Sequence, residues 1–233
     1  MREIVMDTET TGLDPADGHR IVEIGAIELV NHLPTGRVYH QYINPERSMP
    51  KEAYDVHGLG DDFLRGHPVF VDILDDFLTF IGDDAQLVIH NADFDMRMIN
   101  AELDRASRPK LPMDRATDTL KIAREKFPGA QASLDALCRR FQIDNSVRQK
   151  HGALLDSELL AEVYLELLGG RQRGLVLEST ERAEDIVSEV TDRKARQRPK
   201  PLAPRLTSAE KQAHEEMIAG LEAPLWIKSS ATG

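Results

Sequence analysis

The run "IVMDTETTG", Ile4 to Gly12, ends a short apolar stretch in two carboxylates one position apart. In an extended strand, side chains at i and i+2 point to the same face, so Asp7 and Glu9 share a face with no base between them. At about 4 Å their repulsion is about 1 kcal/mol in water and several times more in a partly buried site. A cation relieves it. Two further acids stand in comparable places. Asp95 lies in "HNADFD", just beyond another apolar run, and Asp156 lies in "HGALLDSELLAEVY", where it interrupts a face marked by Leu154, Leu155, Leu159 and Leu160. A carboxylate there is costly without a partner. Four such acids suit two hard divalent cations, since magnesium takes oxygen ligands and keeps water or phosphate in its remaining positions.

His151 precedes Asp156 by five residues. On one continuous helix that spacing turns the two apart, so both reach one site only if His151 lies in a loop and Gly152 marks the break. A loop histidine beside two metal ions is suited to take a proton from water, while the ions stabilise the attacking and leaving oxygens of an in-line phosphoryl displacement. Other residues read more plainly. Asp118 is expected as a helix cap or solvated acid, His90 as a strand-end packing residue, and Cys138 as core at helical spacing with Leu134, Leu137 and Phe141. Asp93 lies two positions before Asp95, and spacing alone does not choose between them.

These residues need a scaffold, and the patterning supplies one. "IVEIGAIELV" (Ile21 to Val30) and "RVYHQYI" (Arg37 to Ile43) are β-rich and separated by the turn-forming "NHLPTG". Phe70, Ile73, Leu74, Phe77 and Ile81 recur at helical spacing, "QLVI" is a short apolar strand, and Leu154 to Leu168 is an amphipathic helix ended by Gly169 and Gly170. A β-meander followed by strands alternating with helices predicts a three-layer α/β domain with a mixed sheet.

"DTETTG", "HNADFD" and "HGALLD" resemble the three motifs of the DEDDh family of 3′-to-5′ exonucleases. More narrowly, residues 1 to about 177 resemble the proofreading epsilon-subunit family of bacterial DNA polymerase III, a likeness that extends through "EAYDVHGL" and "FPGAQASLDALCRRFQIDNS". The resemblance implies a ribonuclease-H-like fold, metal ligands at Asp7, Glu9, Asp95 and Asp156, two Mg²⁺ or Mn²⁺ ions, and a general base at His151. It favours Asp95 over Asp93. It also implies that Glu52, His57 and the backbone of Thr10 and Gly12 line the terminal nucleotide of a DNA 3′ end. Taken alone, His57 reads as a turn or surface histidine. A related exoribonuclease and a mainly structural subunit bridging polymerase and clamp are the rival functions.

Composition sets outer bounds. A single cysteine excludes an intramolecular disulfide framework, and the N-terminal region carries no signal-like apolar run, so a soluble cytoplasmic protein without a membrane partner is expected. The net charge is −11; from Glu178 onward ten acids face nine bases, which leaves 30 acids against 20 bases, about −10, on the first 177 residues. A polyanionic substrate must then be held through metal ions or another protein.

Residues 1–177 are expected to form the exonuclease domain, 178–206 a flexible linker rich in charge and proline, and 207–233 a partner-binding tail. Thr207 with Glu210 has capping-box spacing. "QRGLVL" resembles the short peptides that polymerase proteins insert into the sliding clamp, with Gln172, Leu175 and Leu177 as anchors. Trp226 is the candidate anchor for the polymerase alpha subunit, the partner that the epsilon-family resemblance implies for the tail.

Overall fold

The computed structural model describes residues 1–146, 148, 150–170 and 206–220. Gln172, Leu175, Leu177, the 178–205 stretch and Trp226 lie outside the described residues. Two compact units, Met1–Val176 and Leu177–Gly233, are described separately. In the second, Ser208–Ala219 is helical, with the Thr207 hydroxyl accepting from the Glu210 amide and the Glu210 carboxylate accepting from the Thr207 amide. Met217 on that helix is exposed. No helix among the described residues is long and apolar enough to cross a membrane.

The first unit is a five-stranded sheet in the order β3-β2-β1-β4-β5. β1 (Arg2–Thr10), β2 (Ile21–Val30) and β3 (Leu33–Tyr42) form the antiparallel meander, and β4 (Gln86–Ile89) and β5 (Ala116–Asp118) run parallel to β1. The second turn is shorter than "NHLPTG" suggests. Asn31 and His32 both adopt positive φ, 52° and 66°, giving a two-residue hairpin turn whose twist matches the strands, so β3 begins at Leu33 rather than Arg37. Pro34 is tolerated because β3 is an edge strand.

Alternation along β1 feeds two cores. Ile4 and Met6 face the layer that carries α3 (Phe70–Ile81) and α4 (Ala92–Arg105). Lys51–His57 forms α1 and Asp61–Leu64 forms α2. The expected stripe of α3, Phe70, Ile73, Leu74, Phe77 and Ile81, is buried throughout, each side chain contributing roughly 1.5–3 kcal/mol. Val5 faces the other layer, where α7 (Ala153–Leu167) packs on β1 and β2 through Leu160 and Tyr164. Behind α7 lie α5 (Thr119–Lys126) and α6 (Leu134–Phe141), with Cys138 buried between Leu137 and Val163 in their shared core. Asp118 caps α5, accepting from the Leu120 amide at 2.9 Å.

One contact sets how closely α7 approaches the sheet. A Cβ on Gly25 would fall 2.2–2.4 Å from the backbone of Ala153 and Leu154, and the Ser157 hydroxyl donates to the Gly25 carbonyl at 2.9 Å. Gly25 pairs with Asp7 across β1 and β2, so the start of α7 lands beside that carboxylate. Gly25→Ala is therefore expected to cost roughly 1–3 kcal/mol by overpacking, and Ser157→Ala about 1 kcal/mol. Urea unfolding of the two variants measures this; a Gly25→Ala protein as stable as the parent contradicts the close approach.

Candidate active site

β1 delivers Asp7 and Glu9 to the end of the sheet where a register shift between Glu9 and Thr10 bends the strand. α4 brings Asp95 from one layer. Asn91, in the left-handed region at φ 67°, turns the chain from β4 into α4, and its amide donates to Asp118 Oδ1 at 3.1 Å. Asp95 therefore sits in the first turn of a helix rather than in the loop after a strand. Its Oδ1 accepts from the Thr8 amide at 3.1 Å and the Thr8 hydroxyl at 2.7 Å. Asp93 points outward to Arg97. α7 brings Asp156 from the opposite layer, in its own first turn.

His151 lies outside α7, whose helix starts after Gly152. Its amide donates to the Val56 carbonyl at 3.3 Å, and Lys150 stands 4.9 Å over the Tyr54 ring, which ties the histidine loop to α1. The ring is half exposed, with Nδ1 3.5 Å from Asp156 Oδ2. Ligand atoms of Glu9, His151 and Asp156 all lie within 4.8 Å of one another. Asp7 and Asp95 lie outside that three-residue group, although Asp7 feels the charges of Asp95, Glu9 and Asp156, and carboxylate oxygens of this kind suit a hard divalent cation.

The electrostatics record the same demand for positive charge. Burial, then Asp95, Glu9 and Asp156, pushes the Asp7 carboxyl well above the usual carboxylate range. Burial pushes Glu9 up to about 8, with Asp156, Glu23 and Asp95 adding to it. Burial also lifts Asp95 to about 7 against the pull of the Thr8 hydrogen bonds. Asp156 differs. Burial pushes it up, yet hydrogen bonds from His151 and Arg148 and the guanidinium charge outweigh burial and hold it below its ordinary value.

A cleft of about 570 Å³ opens beside these acids and is lined by Glu9, Thr10, Gly12, Glu52 and His57 among others. Glu52 is exposed on α1, whereas His57 is buried at its end. The His57 Nδ1 accepts from the Leu59 amide at 3.0 Å, so any ring proton sits on the buried Nε2. Burial lowers its pKa and favours the neutral ring. His90 bonds the Thr119 hydroxyl at 2.9 Å behind the sheet end.

Several contributors were not singled out from sequence. Arg148 meets both Asp156 and His151. Glu23 sits opposite Glu9 and pairs with His40 at 2.7 Å. His19 and Phe94 help line the cleft. Like acids on neighbouring strands at Glu9 and Glu23 were the available signal for Glu23; an arginine five residues before an α-helix offers none.

The sequence family described as Exonuclease (RNase_T) matches residues 4–164. The DNA polymerase III subunit epsilon of Rickettsia felis is 50% identical over 225 residues, covering 95% of this chain and 97% of that protein. The DNA polymerase III subunit epsilon of Escherichia coli is 48% identical over 177 residues, 73% of this chain and 72% of that protein. Among solved structures, the nuclease domain of 3′hExo, described as a DEDDh family member bound to rAMP, superposes with a TM-score of 0.63 at 19% identity, covering 72% of this chain and 91% of that one. Exonuclease I of E. coli in complex with a dT13 oligonucleotide gives 0.62 at 17% identity, covering 72% and 40%. These structural likenesses carry the ribonuclease-H-like fold.

The raised carboxyls imply a pH-dependent stability in the absence of divalent ions. Glu9 and Asp95 hold protons more tightly when folded, so their contribution is fully present below their ordinary values and is lost as pH rises through about 7 to 8. The lowered Asp156 acts only below its ordinary value near 3.8, outside that window. In EDTA the melting temperature is thus expected to fall between pH 6 and 8.5, and Glu9→Gln to be more stable than the parent at pH 8.5 by roughly 1–3 kcal/mol. A flat profile in the parent, or an unchanged slope in the variant, goes against the repulsion.

Proposed function

The chain belongs to the epsilon-subunit family of bacterial DNA polymerase III, and from that premise we propose that it is a proofreading 3′-to-5′ exonuclease of the replicative polymerase, acting on unpaired 3′-terminal nucleotides of DNA. The observation that carries the site reading is the convergence of Asp7, Glu9, Asp95, Asp156 and His151 from three elements and a loop at one end of the sheet. Family membership implies a divalent metal. The finer proposal is two Mg²⁺ or Mn²⁺ ions, held by Asp7, Glu9, Asp95 and Asp156, which when bound supply electrostatic stabilisation for charge developing on the phosphoryl oxygens.

The chain's own residues do the rest. The four carboxylates would hold those ions at the end of the sheet, beside the cleft. His151, on a loop anchored to α1, accepts the proton of the attacking water at a ring nitrogen and so generates the nucleophile. Water's oxygen joins phosphorus, the 3′ oxygen of the preceding nucleotide leaves, and a nucleoside 5′-monophosphate is released. The cleft carrying Thr10, Gly12, Glu52 and His57 takes the terminal nucleotide. A mispaired end frays at lower cost than a paired one, which favours its entry into a single-strand site.

The tail extends the same proposal. Trp226 and the 207–233 segment dock on the polymerase alpha subunit, and Gln172, Leu175 and Leu177 engage the clamp, in a cytoplasmic assembly. The acidic charge of the first 177 residues supports this reading, because a tether raises local concentration to the millimolar range where direct attraction to DNA is weak.

Mg²⁺-dependent degradation of a 3′-mispaired DNA primer by the full chain is expected to outpace that of matched DNA and of RNA. Preference for RNA moves the protein to the ribonuclease branch. His151→Ala is expected to keep the fold and lose about 10²–10⁴-fold in turnover. Near-normal turnover by a clean preparation refutes the general-base role. Trp226→Ala is expected to weaken co-elution with the alpha subunit without slowing hydrolysis of a free oligonucleotide; unchanged co-elution removes the anchor.

A further inference from the structure

Arg148 is inserted between Asp156 and Asp135, and its side chain is only 7% exposed. Its guanidinium makes a two-pronged contact with Asp156, Nε to Oδ1 at 2.5 Å and Nη2 to Oδ2 at 2.7 Å. Nη1 donates to Asp135 Oδ1 at 2.8 Å, and Asp135 is in turn held by the Asn145 side-chain amide at 3.0 Å. Nη2 also approaches His151 Nδ1 at 2.8 Å. Nδ1 of His151 therefore lies between the Arg148 guanidinium and Asp156 Oδ2, 3.5 Å away. Both oxygens of Asp156 are thus engaged, and the His151 ring is held against the guanidinium.

Resting on the proposed divalent-metal site, we propose that Arg148 is an internal counter-cation that holds Asp156 and His151 in the ion-free protein and gives up Asp156 to an incoming divalent ion. Two geometric facts support displacement rather than coexistence. A fork that occupies both carboxylate oxygens leaves an ion to share each oxygen with a charged donor, which weakens its hold on Asp156. The guanidinium also stands where its positive charge opposes that of any ion bound by Glu9, His151 and Asp156, whose donor atoms already lie together. Asp135 gives the displaced arginine a carboxylate outside the acidic cluster, so its charge is not stranded. Arg148 is in this sense a positioning residue: it keeps the acids assembled when no ion does, and its departure frees Nδ1 of His151.

Isothermal titration with Mn²⁺ on the full-length parent, Arg148→Met and Arg148→Lys tests this, alongside melting in EDTA and in saturating Mn²⁺. Arg148→Met, of similar length but uncharged, is expected to bind Mn²⁺ about tenfold tighter or more, since binding no longer breaks a charged two-pronged contact. Its melting temperature is expected to fall in EDTA and to approach the parent's in Mn²⁺. Arg148→Lys, which keeps charge and loses the fork, is expected to shift in the same direction by less, and it stands in should the Met variant fail to fold. A parent that binds Mn²⁺ with variants that bind it equally or more weakly overturns the role of Arg148 alone. A parent that shows no Mn²⁺ binding overturns the metal-site reading and this inference with it.

Discussion

Mutual repulsion among carboxylates at one end of the sheet is the constraint on which the rest of this structure turns. Asp7 and Glu9 share a strand face, Asp95 and Asp156 arrive from opposite layers, and Glu23 adds a further acid across β2. Folding has to bring them together against their charge. It does so by fixing each on a rigid element whose burial is apolar elsewhere: β1 with Ile4, Val5 and Met6, α4 with Met96 and Ile99, α7 with Leu160 and Val163. The core thus supplies the stabilisation that the site consumes, a division common where function requires locally unfavourable geometry.

The neutralising devices differ from acid to acid. Thr8 satisfies Asp95 with two neutral donors, which orients the carboxylate but leaves its pKa high. Glu23 has His40 on the neighbouring strand, and Asp156 has the guanidinium of Arg148. Asp7 and Glu9 have no comparable base bonded to them among the described residues. They are the two acids most dependent on an external cation, and they sit on the central strand of the sheet. The two acids without a bonded base thus lie on the central strand, and the internally paired one lies beside a loop.

Much of this was legible from residue order. Acids at i and i+2 on β1, the apolar stripe of α3, the break at Gly152 and the Thr207 capping box each follow from short-range rules, and the structure contains them. What sequence could not supply was conformational detail set by single backbone angles or by long-range packing. The start of β3 depended on positive φ at Asn31 and His32, neither of them glycine. The choice between Asp93 and Asp95 depended on α4 beginning at Ala92, which turns the first outward and the second toward Thr8. Arg148 was invisible because its partners, Asp135 and Asp156, belong to two different helices and become neighbours only when α6 packs on α7.

Those helices also explain why one small residue far from the chemistry matters. Gly25 has no role at the carboxylates, yet its missing side chain lets the first turn of α7 rest on β2, directly beside the register position of Asp7. A longer separation would leave Asp156 out of reach of Glu9, and the His151 loop, which enters α7 through Gly152, would retreat with it. Helix position and ligand position are thus the same variable. A sheet-to-helix distance fixed by backbone contact varies far less than one cushioned by flexible side chains, and a cluster of carboxylates assembled from separate elements tolerates little variation. The geometry of the acids is therefore set as much by the absence of a methyl group on β2 as by the acids themselves.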